Sequence, residues 1–406
     1  MRGLYLFLLC GALYGASLQE TIDQALRSSP TLQAKNLAVK LQEHQKEAHK
    51  AKMYGEVDLS GAFTHYNIPR TLKPLTPPIT PGITVSKDIS TLGASYKVAL
   101  FKGFADLAQV EVSKLAAKKS QIDYKLTKEE LIYNIKALYF KGLGLLKSEE
   151  ALQAHKKALQ TLYDTTKKEV DLGSKAPLDL LKIKSQLVQI DSKIVSTKNA
   201  VEALKAHISA LTGAPFDGFE SASEEELRDT HATPYLIKKL QIQTAQAKKE
   251  LKKAKALYYP KVFLNADYAK NWGQDDSAEV WQTSVALGYN LFDFGYKSHT
   301  YQKGKIASLI AQKNLAAQTL ALQAKLQEAT LQKASLESTI TSLKANLELL
   351  QKIESIEKIK YESGRSEIDD YLLAIANTKN AQSSLAKTYY DLYTKIAYIN
   401  YLKAGE

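Results

Sequence analysis

The residues of this chain best suited to bind a metal or move a proton are its seven histidines: His44, His49, His65, His155, His207, His231 and His299. A zinc pair on a helix needs both imidazoles on one face. His44 and His49 are five residues apart, which misaligns them, and the others are scattered. Gly142 and Gly144 sit inside a helical pattern rather than in a phosphate-cradling loop, and are expected to permit close helix packing. Met1 and Met53 are the only methionines, so no soft-metal path is expected. The one cysteine, Cys10, falls in a segment that reads as cleaved, which leaves a mature chain without disulfide or thiol chemistry. The expectation is a chain that is not an enzyme and carries no cofactor and no metal; a secreted hydrolase lacks its site here.

The elements around these residues start with that N-terminal segment. Arg2 supplies positive charge, positions 4–13 form a short apolar run, and Gly15, Ala16 and Ser17 are small. This is the pattern of an export signal over residues 1–16. A lipoprotein reading would acylate Cys10, but Leu8 and Leu9 are bulky for a lipobox. The formal net charge of +12 admits an anionic partner or a lysine-rich solvated surface; the lysines are spread along the whole chain with no dense block, which favours the surface and gives no reason to expect nucleic acid.

Two observations fix the scaffold. Five of the ten prolines (Pro69, Pro74, Pro77, Pro78, Pro81) crowd into one stretch, and long proline-free spans follow, which permit long helices. The chain is also duplicated. Leu100 and Phe101 recur as Leu291 and Phe292, Gly173 as Gly364 and Asp179 as Asp370, each 191 residues on. Leu131, Leu138, Leu145, Leu152 and Leu159 mark a seven-residue seam, and Leu322, Ala329, Leu336, Leu343 and Leu350 repeat it in the second half. Such a seam implies left-handed coiled-coil packing. The expected organisation is a first repeat over 17–213, a linker over 214–233 and a second repeat over 234–406. Each repeat reads helix, strand, loop, strand, long helix, turn, helix. In the first these are 18–53, 57–66, 91–100, 105–172 and 177–211; in the second, 234–258, 261–272, 279–292, 296–363 and 366–402. A helix over 105–172 would span on the order of 100 Å, against a radius of gyration of about 21 Å for a compact chain of this size, so an elongated molecule is expected.

The four strands alternate. Leu59 and Phe63 in the first, Tyr96 in the second, Leu264 and Tyr268 in the third, and Trp281 and Val285 in the fourth form an apolar series backed by polar residues such as Ser60, Asn265 and Ser284. A half-buried sheet and a membrane barrel both fit this alternation; strands of about ten residues and the export signal favour the barrel, with those seven side chains toward lipid. Four strands cannot close a barrel, and lipid tolerates no open edge, so several chains must share one.

Taken in order, these features resemble the TolC family of outer-membrane efflux channels. The resemblance rests on an opening helix with Ala25 and Pro30, on two strand exits at Leu100 to Phe104 and Leu291 to Gly295, and on two glycine-centred tips, Val170 to Gly173 and Tyr361 to Gly364. It implies a mainly α chain with a membrane β-barrel portion: duplicated coiled-coil hairpins and four strands per chain, assembled as a homotrimeric α/β-barrel tunnel. It implies an outer-membrane location in a Gram-negative cell with a large periplasmic part. The implied role is a passive exit duct of a tripartite efflux or type I secretion system for drugs, other small molecules or proteins. The implied partners are a periplasmic adaptor (membrane fusion) protein and an inner-membrane transporter, which supplies the energy. Gly55 and Pro260 would mark the helix-to-barrel transitions, and the loops 67–89 and 273–278 would face outside. Matched from the tip glycines, Asp179, Tyr361, Arg365 and Asp370 would form the periplasmic gate; Arg365 sits one place early and Leu373 replaces a second aspartate. Gly173, Ser174, Leu178, Leu181, Gly364, Ser366 and Ile368 would form the adaptor-docking tips. A periplasmic coiled-coil scaffold without a barrel is the alternative, and it leaves the four strands without a purpose.

Overall fold

A computed structural model describes residues 16–78, 82–223, 226–227 and 232–406. The export-signal reading of residues 1–15, Cys10 and His231 therefore lie outside the described residues. Two compact units emerge.

The first unit comprises the described residues up to Asn36 together with Asp123–Leu236 and Gln318–Glu406, and is helical. It contains α1 (Leu18–Ser28) and the start of α2 (Pro30–Ala51). It also holds most of α3 (Ala105–Asp171), α4 (Pro177–Thr212), most of α6 (Tyr296–Glu362) and α7 (Ile368–Lys403). The duplication is visible in the lengths: α3 and α6 each run 67 residues, α4 and α7 each 36. The heptad seam faces inward, with Leu131, Leu159, Leu322 and Ala329 buried.

The opening helix differs from expectation. A single helix over 18–53 is broken in two, because the Pro30 ring restrains Ser29 from helical geometry and removes a donor. Ser17 caps α1 through a reciprocal pair with Glu20: its hydroxyl accepts from the Glu20 N–H, and the Glu20 carboxylate accepts from the Ser17 N–H. The linker residues are packed down. The Tyr139 hydroxyl accepts from the Glu220 N–H at 2.8 Å and lies 2.8 Å from the Ala16 carbonyl, while Phe216 and Phe219 meet the Tyr139 ring edge-on. Gly142 does permit close packing, but its neighbour is the Phe219 ring, which would stand 2.3 Å from an added Cβ.

The second unit, Leu37–Ile122 and Ile237–Ala317, is built on one antiparallel sheet of order β1-β2-β3-β4. Its strands are β1 (Glu56–Thr71), β2 (Val85–Phe101), β3 (Lys261–Trp272) and β4 (Ser277–Gly288). α5 (Tyr235–Lys255) and the end of α2 lead into it through short 3-10 turns. At Gly55 the chain turns with φ at 82°, and a Cβ would stand 2.5 Å from the Lys97 carbonyl, so this transition requires glycine.

The first two strands are longer than their alternation indicated. β1 runs through Pro69 because a register shift between His65 and Arg70 accommodates a residue that cannot donate to the ladder. The connecting loop shrinks accordingly and is tied down: Asn271 Nδ2 donates to the Leu72 carbonyl at 2.7 Å, Thr84 Oγ1 donates to Asp276 at 2.8 Å, and Leu72 is buried. β4 is shorter, ending at Gly288, where β3 supplies its last partner at Lys261; beyond it Pro260 has no N–H to offer.

Candidate functional site

Two places in the molecule hold the residues singled out from the sequence, and each belongs to one unit. In the sheet, the register decides which side chains share a face. Leu59 pairs with Ala94, Ala94 with Tyr268, and Tyr268 with Trp281. Tyr96 pairs with Val57 and Ala266, and Leu264 with Val98 and Val285. Directly opposed residues project to the same side, so Leu59, Phe63, Tyr96, Leu264, Tyr268, Trp281 and Val285 all lie on one face. The other face carries Asp58, Ser60, Ser95, Lys97, Asn265, Asp267, Gln282 and Ser284. Among the described residues nothing covers the apolar face: Leu59, Phe63, Trp281 and Val285 are all exposed. β1 and β4 are edge strands, each with one unpaired side.

The helical tips are built alike. After α3, Ser174 N–H bonds to the Glu169 carbonyl (2.8 Å) and Gly173 N–H to Val170 (2.9 Å). After α6, Arg365 N–H bonds to Lys360 (2.8 Å) and Gly364 N–H to Tyr361 (3.1 Å). This is a paired helix-ending motif, and it needs a left-handed residue; Gly173 (φ 76°) and Gly364 (φ 69°) supply it. Nothing lies within 4 Å of where a Cβ would sit on either glycine, so backbone conformation alone demands them.

Tyr361 is buried at the tip in a cluster with Leu159, Ile183, Ile190, Ile194, Ile368 and Leu372. Its hydroxyl meets Thr166 Oγ1 at 3.2 Å, its ring stacks on Tyr371, and Lys175 Nζ stands 4.0 Å over the ring. Burial pushes the hydroxyl above its ordinary pKa, against the Thr166 bond, with Asp179 adding a further upward push. Asp179 and Asp370 occupy the first turns of α4 and α7, where the helix dipole favours negative charge. The Ser366 hydroxyl is within donating distance of both Glu357 Oε2 (3.0 Å) and Asp370 Oδ2 (3.1 Å). Arg365 lines the same groove but makes no ion pair within the chain among the described residues. At the tips, among the described residues, an ion pair crosses between the hairpins from Lys182 of α4 to Asp369 of α7.

Of the expected docking residues, Leu178 and Leu181 are exposed (57% and 64%), and Ser174 is exposed with its hydroxyl bonded to the Glu169 carbonyl. Ile368 is a correction: at 2% exposure it is a core residue, because the first turn of α7 packs it into the Tyr361 cluster. Sequence reasoning missed Thr166, Glu357, Lys182 and Asp369. A signal existed for two of them. Extending the heptad seam by one step beyond Leu159 and Leu350 reaches Thr166 and Glu357, so the apolar seam turns polar at the tip in both repeats.

Compared with known proteins, the chain matches the model of the outer membrane efflux protein family over residues 21–214 and 235–399. No curated protein matches it. Among solved structures it is similar to the outer membrane protein VceC of Vibrio cholerae, at 16% identity and a TM-score of 0.82, covering 96% of each chain. It is similar to the CmeC outer membrane channel of Campylobacter jejuni, at 16% identity and 0.82, covering 95% of this chain and 85% of that one. The open-state MtrE outer membrane channel of Neisseria gonorrhoeae matches at 13% identity and 0.80, covering 96% and 89%. At these identities the structures establish the fold, a set of long helical hairpins joined to four antiparallel strands, and the family model spans most of the chain in two blocks. The chain belongs to the outer membrane efflux protein family.

Proposed function

We propose that this protein is the outer-membrane exit duct of a tripartite efflux or type I secretion system, acting as a homotrimer in a Gram-negative cell. A periplasmic adaptor and an inner-membrane transporter drive its cargo. The observation that carries this reading is the sheet: among the described residues it has one continuous apolar face without cover, one polar face, and two unpaired edges. A lone four-stranded sheet of this kind is stable neither in water, where the apolar face is exposed, nor in lipid, where unpaired backbone groups cost several kcal/mol each. Pairing β1 of one copy with β4 of the next removes both defects and leaves a polar lumen. Crosslinking the purified protein in detergent should give a three-chain species from outer-membrane fractions. A monomer that inserts and conducts by itself would exclude the shared barrel.

The helical tips serve as the gate and the docking end in this reading. Asp179, Tyr361, Arg365 and Asp370 remain the gate residues. Tyr361 acts as a buried strut bonded to Thr166, and Arg365 is left available for a carboxylate of a neighbouring copy. Exposed pairs such as Lys182 with Asp369 contribute little singly, so closure rests on several together. Leu178 and Leu181 present the adaptor with apolar area on a surface that folding does not need. Leu178→Asp should therefore abolish adaptor-dependent efflux, measured as loss of resistance in cells, while the trimer band is unchanged. Normal resistance in that variant would move docking elsewhere.

A further inference from the structure

Within the helical unit, α3, α4 and α7 leave a cleft of about 340 Å³ between them. His155 of α3 lines it and is buried, and Lys193 of α4 and Lys379 of α7 line its other sides. Neither lysine makes an ion pair among the described residues, although neighbouring lysines do: Lys156 pairs with Asp191 at 2.6 Å and Lys198 with Glu149 at 3.8 Å. No carboxylate lines the cleft; the remaining polar groups are neutral amides and hydroxyls, among them Gln186, Gln189, Asn380 and Ser196.

His155 is buried, Lys379 half-buried and Lys193 exposed, so basic side chains run from the floor of this space to its rim with no acid among its lining residues. Burial and the two lysines together hold the imidazole neutral, with its pKa down to about 4. Two ammonium groups with amide donors between them offer charge-assisted hydrogen bonds to an acceptor-only group.

We propose that this cleft is a binding site for a small oxyanion of the phosphate or carboxylate type, held between Lys193 and Lys379 with amide donors completing its shell. Its occupant ties α4 of the first hairpin to α7 of the second. The site is distinct from the tips and from the sheet, and it stands whether or not the chain acts as an exit duct.

The test is equilibrium dialysis of the assembled, detergent-solubilised protein against radiolabelled inorganic phosphate at neutral pH and fixed ionic strength. Saturable uptake is expected at a single site per chain, displaced by succinate and not by an equal concentration of chloride. Lys193→Gln combined with Lys379→Gln should weaken uptake by roughly tenfold or more, since two charge-assisted bonds are lost. Lys157→Gln, an exposed lysine on α3 away from the cleft, should leave it unchanged. Circular dichroism and the trimer crosslink establish that each variant is folded and assembled. Absence of saturable uptake by the unsubstituted protein, as when a neighbouring copy's carboxylate fills the cleft, overturns the proposal. So does equal displacement by chloride, or undiminished uptake by the folded double variant.

Discussion

Replacing Leu264 or Val285 with arginine should destabilise the assembled protein in a bilayer by about 2–4 kcal/mol, the cost of a cation at the lipid-facing midplane of a barrel. The two residues are direct cross-strand partners on the apolar face, on β3 and β4. The matched control is one residue along: Asn265 and Ser284 are also direct partners, on the opposite face. Arginine there would project into a wet lumen and should cost well under half as much, about 1 kcal/mol or less. The measurement is urea unfolding of the trimer in lipid vesicles, with the fraction of heat-modifiable trimer in outer-membrane extracts as a cellular counterpart. Because each pair occupies one rung of the same ladder, strand propensity and register are held constant, and only the face differs. Equal losses on both faces would remove the case for a lipid-facing surface on this sheet.

The second large effect is expected from acid. His155 is 6% exposed, and its pKa falls from an ordinary 6.5 to about 4, mainly through burial and then through Lys379 and Lys193. Between the same two helices, Lys156 of α3 pairs with Asp191 of α4, and Lys198 of α4 with Glu149 of α3, so these charges are engaged with one another. Well above pH 6.5 the imidazole is neutral in both folded and unfolded chains and contributes nothing to the pH dependence. As pH falls from 6.5 toward 4, the unfolded chain takes up a proton that the folded chain refuses, so stability is lost through that window. The full shift corresponds to on the order of 2–4 kcal/mol per chain. Thermal melts of the helical signal between pH 7.5 and 4.5, in a buffer without oxyanions, should show a falling midpoint that His155→Gln largely abolishes. Acids such as Glu357, whose pKa is lowered by Lys360 and Ser366, lose their contribution only at lower pH, which separates the two effects. An acid response unchanged in His155→Gln would place its source in other groups.

The amino-acid sequence by itself determined the repeat, the four long helices, the positions of both tips and the composition of both sheet faces. Each depends on a local or periodic property. Heptad leucines make a seam wherever a helix forms, proline-free spans let the helices run, and glycine is needed where the chain ends a helix in the left-handed region. Strand alternation likewise assigns Leu59, Leu264 and Val285 to one kind of face without any knowledge of their partners. Where an element ended was less legible. Ser29 and Pro30 divide a helix that hydrophobic pattern alone runs together, and β1 passes Pro69 only because a shift in register absorbs it.

Only the tertiary structure decided which tip residues touch. Tyr361 bonds Thr166 from a helix 195 positions away in sequence, Ile368 goes into the core while Leu178 stays out, and Lys182 rather than Arg365 makes the link between hairpins. The same holds for His155, which the sequence left as one scattered histidine. Its environment is made by Lys193 and Lys379 on two other helices, and their approach is set by the rotation of each helix about its axis. Packing fixes that rotation across the whole seam at once, so no window of sequence around a single residue contains it.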